Sequence, residues 1–338
     1  MIKGATSPES APFAPPELPP DIRALYPFSS QWFTTPSGAQ MHYLDEGPEA
    51  ASAAHTSGEP LPSEGAAAAG EGGEAVLMLH GNPTWSFYYA GLVRALAPTL
   101  RCIVPDHIGM GLSEKPPYPR YDYRLKTRID DIAALVAHLG LRRVHLVVHD
   151  WGGAIGFGLA ARHPERIGRL VILNTAAFRS ARIPARIALC KTPLLGPALV
   201  RGLNAFARPA LTMAMARRTL SRAERRALLL PYDSWPNRVA VSRFVRDIPL
   251  RPEHPSWAAL AAAEQGLSYF AENPAAHPAL ILWGGRDFCF NRSFYDEWCR
   301  RLPHAEAHTF ADTGHYVLLD AAEEVIPKIS QFLSRVAQ

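Results

Sequence analysis

No apolar run in this 338-residue chain approaches the ~20 residues that a membrane-crossing helix needs, so no transmembrane segment is expected. Residues 1–20 are rich in Pro and Ala and lack the apolar centre of a secretory leader. Cysteine is scarce. Cys102, Cys190, Cys289 and Cys299 lie far apart, with neither CxxC pairing nor zinc-type spacing. That pattern argues against a disulfide framework or a metal centre and fits free thiols in a reducing compartment. A large excess of one charge is also missing: the formal charge is +4. The Arg-rich stretch 217–226 is interleaved with Leu and Ala, as on the wet face of a helix, and nucleic acid is not an expected partner. No internal repeat occurs. What is present is 48% apolar residues, enough for a substantial core in a cytoplasmic globular protein.

Composition divides the chain. Residues 1–21 read as a disordered tail, because repeated prolines remove backbone donors and block helix. Residues 47–74 are almost all Ala, Gly, Ser, Glu and Pro, which cannot bury enough surface to offset ordering entropy, so they read as a flexible insertion. Elsewhere short apolar runs, at 40–44, 75–79, 102–104, 144–148, 170–173, 279–283 and 307–310, alternate with helical periodicity at 86–97, 123–139, 154–162, 294–301 and 322–336. Continuous apolar strands separated by amphipathic helices predict a mostly parallel sheet covered on both faces. The alternation stops between about 179 and 264, a stretch rich in Ala, Leu and Arg with helical patterns such as 220–230. The expected organisation is an α/β core of residues 22–178 and 265–338, with residues 179–264 inserted as a helical cap.

Four motifs follow four of the strands. Val147-Val148-His149-Asp150-Trp151-Gly152-Gly153 runs an apolar strand into a Gly pair and a helix of small residues, the setting of a nucleophile elbow. Asp150 stands at its apex. A carboxylate there can attack carbon to form an ester, and a helix N-terminus favours its ionised form. Taken alone, Asp150 reads as a helix cap; the adjoining motifs reverse that reading. His80-Gly81-Asn82-Pro83-Thr84-Trp85 follows the strand 75–79, where the backbone N–H of Asn82, with that of Trp151, can form an oxyanion hole or hold the carboxylate. His80 itself reads as structural. Asp287 follows the strand 279–283, and His315 sits on the loop after 307–310. Open parallel sheets build sites at strand carboxyl ends, and the order nucleophile, acid, base matches this arrangement. His315 would activate water, and Asp287 would orient it. Asp312 is a rival acid, read as a loop residue because it is so close to His315 in sequence.

The combination HGNPTW, PDHIGMG at residues 105–111, VVHDWGG and GHY resembles the haloalkane dehalogenases, an α/β-hydrolase family, over residues 28–336. The resemblance implies an eight-stranded, mostly parallel α/β-hydrolase sheet with helices on both faces and an inserted cap. It also implies that Asp150 displaces a leaving group, that His315 hydrolyses the ester, and that the side chains of Asn82 and Trp151 donate hydrogen bonds to the departing halide. Asp287 matches the acid, because Leu173-Asn174-Thr175 carries no Glu where one dehalogenase branch has it. Two cap stretches, Pro231-Tyr232-Asp233-Ser234-Trp235-Pro236-Asn237-Arg238 and Arg243-Phe244-Val245-Arg246-Asp247-Ile248-Pro249, look like those of the β-lactone decarboxylases of bacterial long-chain olefin biosynthesis. So do Leu173-Asn174-Thr175-Ala176-Ala177-Phe178 and Asp312-Thr313-Gly314-His315-Tyr316-Val317.

By that resemblance the substrate is a cis-3,4-dialkyl β-lactone with long alkyl chains, the products are a cis-alkene and carbon dioxide, and other olefin-biosynthesis enzymes are partners in an assembly. Neither a cofactor nor a metal is expected. Asp150 can open the ring at the β-carbon or attack the carbonyl; the sequence leaves both open. The alternative is haloalkane dehalogenation. Epoxide hydrolysis, which uses the same Asp elbow, would need two cap tyrosines, for which Tyr232 and Tyr269 are available. A silent binding module on this fold has no need of Asp150, Asp287 and His315 together. Met213, Met215 and the Leu/Ala-rich cap helices either line an apolar channel or pack against the core.

Overall fold

Eight strands assemble in the order β1-β2-β4-β3-β5-β6-β7-β8 in the computed structural model, which describes residues 13–48, 73–181 and 183–335. They are β1 (Ser30–Thr34), β2 (Gln40–Glu46), β3 (Glu74–Leu79), β4 (Cys102–Pro105), β5 (Arg143–Asp150), β6 (Ile167–Thr175), β7 (Ala279–Gly284) and β8 (Glu306–Phe310). β1–β2 and β2–β4 pair antiparallel; every later pair is parallel. The seven apolar runs of the sequence correspond to β2–β8. β1 escapes that pattern because its residues, SQWFT, are exposed or half-buried on the sheet's edge and show no continuous apolar run.

Alternation along the central strands explains the layering. Leu77 and Leu79 of β3, with Leu146 and Val148 of β5, face one core, shared with the helices Leu125–His138, Trp151–Ala160 and Trp257–Glu272. Val76, Met78 and Val147 face the other, against Ala90–Leu96 and Ala322–Ser334. A two-residue period on strands buried on both sides gives this division directly.

Between β6 and β7, the described residues contain helices and turns and no strand: Ala185–Lys191, Leu195–Pro197, a π-turn at Ala198–Gly202, Ala207–Met213, Arg222–Leu229 and Val239–Arg246 precede Trp257–Glu272. Arg222–Leu229 opens on a capping box, with Ser221 accepting from the Glu224 N–H and the Glu224 carboxylate accepting from that of Ser221. Trp257–Glu272 crosses position 264, so the boundary placed there by composition falls inside one helix. Of the two stretches read as disordered, residues 1–12 and 49–72 lie outside the described residues. Pro20 already begins a helix, and Glu74 begins β3. Among the described residues no helix is long and apolar enough to cross a membrane.

Candidate active site

β5 ends on Asp150 with φ 52° and ψ −124°, and the helix Trp151–Ala160 starts at the next residue. Such a backbone is costly for a non-glycine residue and thrusts the side chain out of the strand-to-helix turn. The sequence pattern starts this helix at 154; it begins three residues earlier because both glycines of the elbow are helical. A Cβ on Gly152 would lie 1.9 Å from the Leu79 carbonyl oxygen, and one on Gly153 2.0 Å from Thr175 Oγ1. Only bare backbone lets the helix approach β3 and β6 so closely. Thr175 Oγ1 in turn donates to the Asp150 carbonyl.

Asp150, Asn82, Trp151 and His315 line one cavity of about 410 Å³. The Asn82 backbone N–H donates to Asp150 Oδ1 at 2.7 Å, and Gly81 leaves room for it, since a Cβ there would sit 2.0 Å from the same oxygen. His315 Nε2 lies 3.7 Å from Asp150 Oδ2, close enough for charge interaction but outside hydrogen-bond range. His315 Nδ1 donates to Asp287 Oδ2 at 2.7 Å. Asp287 also accepts from Asn174 Nδ2 at 2.9 Å and, through Oδ1, from the Cys289 N–H at 2.6 Å. Asp312, the rival acid, is on the surface and paired with Arg217.

Charge follows from this geometry. Burial raises the pKa of Asp150, against His315 and the Asn82 and Trp151 N–H groups, which lower it; burial prevails. Burial works to lower that of His315, but the charge and hydrogen bond of Asp287, with the charge of Asp150, outweigh it and hold the imidazole above its ordinary value. Both shifts favour the protonated forms, an uncharged Asp150 and a charged His315.

The halide-binding roles implied by resemblance meet a more specific arrangement. Asn82 Nδ2 donates to the carbonyl of Val241 at 3.1 Å, while Oδ1 is buried without a partner. An amide nitrogen carries two hydrogens, so one remains for a ligand. Trp151 packs at 5.3 Å on Phe244, behind which the buried Arg128 guanidinium stands 3.5 Å from the Phe244 ring centre and 5.8 Å from that of Trp151.

Neither tyrosine considered for epoxide opening lines the cavity. Tyr232 is buried, its hydroxyl donating to the Thr84 carbonyl, and Tyr269 is exposed on the helix Trp257–Glu272. Met213 lines the cavity, whereas Met215 is buried in the core. His80 is structural: its Nδ1 donates to the Gly81 carbonyl, and its Nε2 accepts from the His107 N–H.

Four residues that the sequence reading did not single out complete the setting. Asn174 ties β6 to β7 through Gly284, accepting from its N–H and donating to its carbonyl, while also reaching Asp287; the polar pair Asn174-Thr175 ending an apolar strand was the available signal. His149 donates to the His315 carbonyl at 2.9 Å and stacks on Tyr88. Phe290 stacks on the His315 ring at 5.7 Å. Asp320 accepts from the N–H groups of Gly314, Ala216, Arg217 and Arg218, joining the His315 loop to the helical insertion. Loop contacts of this kind leave no periodic trace.

Comparison with known proteins agrees with this architecture. A family model described as the alpha/beta hydrolase fold matches residues 74–322. The chain is 45% identical to a cis-3-alkyl-4-alkyloxetan-2-one decarboxylase of Shewanella oneidensis, over 93% of this chain and 91% of that one. It is 43% identical to the Xanthomonas campestris protein of the same name, over 92% and 97%. Among solved structures, a haloalkane dehalogenase from Bradyrhizobium elkani superposes with a TM-score of 0.74 at 26% identity, covering 91% of this chain and 98% of that one. The chain belongs to the α/β-hydrolase fold family and, within it, to the family of the cis-3-alkyl-4-alkyloxetan-2-one decarboxylases.

Proposed function

We propose that this protein converts cis-3,4-dialkyl β-lactones to cis-alkenes and carbon dioxide, with Asp150 as nucleophile. The observation that carries the reading is a lone carboxylate at one end of a mostly apolar cavity, in a chain 45% identical to a named oxetanone decarboxylase. Dehalogenation is not favoured, since the matched dehalogenase structure is at 26%.

The hydrogen bonding of Asp150 favours attack at the β-carbon. Its Oδ1 already occupies the Asn82 N–H, a group that carbonyl attack would need free for the oxyanion. Oδ2 attacks the β-carbon from behind and breaks the ring C–O bond. That leaves an Asp150 ester and a free carboxylate, which meets the remaining Asn82 amide hydrogen and Trp151. The bond between the α-carbon and this carboxylate then breaks, its electrons form the double bond, and the ester oxygen leaves with its pair, regenerating Asp150. No water is consumed. Inversion followed by anti elimination preserves the cis relation of the alkyl groups. His315, held by Asp287, places positive charge beside both carboxylates rather than activating water. As the resemblance implies, the protein works in the cytoplasm in long-chain olefin formation, in an assembly with the enzymes that supply the lactone.

The test supplies purified protein with a cis-dialkyl β-lactone or a bromoalkane in ¹⁸O-water. Alkene and carbon dioxide in equal amounts, with no ¹⁸O in the Asp150 peptide after many turnovers, is the expected result. Halide release without alkene, or ¹⁸O accumulating in Asp150, would assign hydrolysis instead.

A further inference from the structure

We infer that the outer face of residues 185–208 docks on an anionic phospholipid bilayer. From residue 179 to 223 the chain has nine Arg and Lys residues and not one Asp or Glu. Since the whole chain carries only +4, the remainder is net acidic, and basic charge is concentrated here. Arg179, Arg217 and Arg218 are spent on acidic partners elsewhere. Arg186, Lys191, Arg201 and Arg208 form no ion pair among the described residues; their recorded contacts are a sulfur, backbone carbonyls and an aromatic ring.

Apolar side chains protrude from the same segment and from Trp235, whose carbonyl accepts from Arg201. Leu194 is 88% exposed and Leu203 68%, with Leu189, Leu195 and Trp235 about half exposed. Leu194 has φ 60°, at the reversal between the helix Ala185–Lys191 and the turn Leu195–Pro197. A leucine in that conformation gains nothing from its own fold by pointing into water. Arg201 lies over the Trp235 ring at 4.5 Å. Exposed leucines and a tryptophan on a segment whose cations have no acidic partner match the acyl and headgroup layers of an anionic membrane. A protein interface would instead have a core depleted of charge.

The inner side of this segment walls the cavity through Ile187, Cys190 and Leu199, and Arg186 and Leu189 are both exposed and cavity-lining. A water-insoluble ligand can therefore pass between bilayer and cavity without crossing bulk water. That passage rests on the lactone reading; docking does not.

Flotation with vesicles tests docking without turnover. The intact protein should float with vesicles of phosphatidylcholine containing one-third phosphatidylglycerol at low salt, remain behind with phosphatidylcholine alone, and be released by high salt. The double variant Leu194→Asp, Leu203→Asp should lower partition more than ~10-fold, and Arg208→Glu at least ~5-fold, both with unchanged circular dichroism. Absence of flotation with anionic vesicles would overturn the inference, as would equal binding to neutral vesicles or variants that bind like the parent. So would sedimentation showing this face buried between copies that ignore vesicles. If lactone turnover fails while flotation behaves as expected, only the passage of substrate is lost.

Discussion

As the proposed nucleophile, Asp150 faces two opposed demands: it must be ionised to attack, yet burial penalises the charge. Because its folded-state pKa lies above the unfolded value, it lowers stability as pH rises through that interval. Asp150→Asn removes the charge while keeping an oxygen for the Asn82 N–H. The expected outcome is loss of alkene formation with a melting temperature at neutral pH equal to or above that of the parent, read by gas chromatography and calorimetry. A second linkage effect sits away from the site. Asp131 accepts from the Tyr121 hydroxyl at 2.6 Å, and burial raises its pKa to about 7. The folded state keeps this proton well above the unfolded pKa of ~3.9, so stability is lost between about pH 4 and 7 and stays lost above it. Asp131→Asn should leave stability at pH 4 nearly unchanged and add about 1–3 kcal/mol at pH 8, after the cost of seating the extra amide donors. Urea titrations at the two pH values check this; an equal effect at both would refute it. At this scale the sequence separated Asp287 from Asp312 by strand position and by the closeness of Asp312 to His315 along the chain. It was silent on Asn174 and His149, whose importance lies in what they touch.

Elements were legible where a period exists. Strands buried on both faces announce themselves as apolar runs, but β1 does not, because an edge strand with a wet face needs no apolar residues. The helix Trp151–Ala160 was placed late because glycine weakens local helix propensity, whereas here close packing on β3 and β6 requires it. Least legible was the attachment of the insertion to the core. Asp320 collects four backbone N–H groups, one from the His315 loop and three from residues 216–218, and the Tyr316 N–H donates to the Ala214 carbonyl. Asp320→Ala leaves these buried donors unmatched at about 1–3 kcal/mol for each that water cannot reach. We expect a drop of at least ~2 kcal/mol in unfolding free energy and a lower kcat, as His315 loses register with Asp150. Asp320→Asn, which keeps one acceptor oxygen, should recover part of both. Activity that survived Asp320→Ala intact would separate the His315 loop from this clamp.

The whole molecule is organised around a space that no single segment encloses. Asp150, Trp151 and His315 form its polar end from the core, where the reaction is proposed, while Ile187, Leu199, Phe206 and Met213 wall it from the helical insertion. Periodicity reveals that those helices have apolar faces, but not whether a face meets another side chain or a cavity, so the sequence could not choose between channel and packing. The walls contain little to orient a substrate except its length and shape. Burying each methylene contributes about 0.8 kcal/mol, close to fourfold in kcat/KM. Across a series of cis-dialkyl β-lactones of increasing chain length, kcat/KM should climb by roughly that factor per methylene and level off once the 410 Å³ is filled. Ala210 lines the wall, and Ala210→Phe should bring the plateau to shorter chains while leaving the initial slope unchanged. A flat series, or a plateau that Ala210→Phe fails to move, would mean that the alkyl chains lie elsewhere.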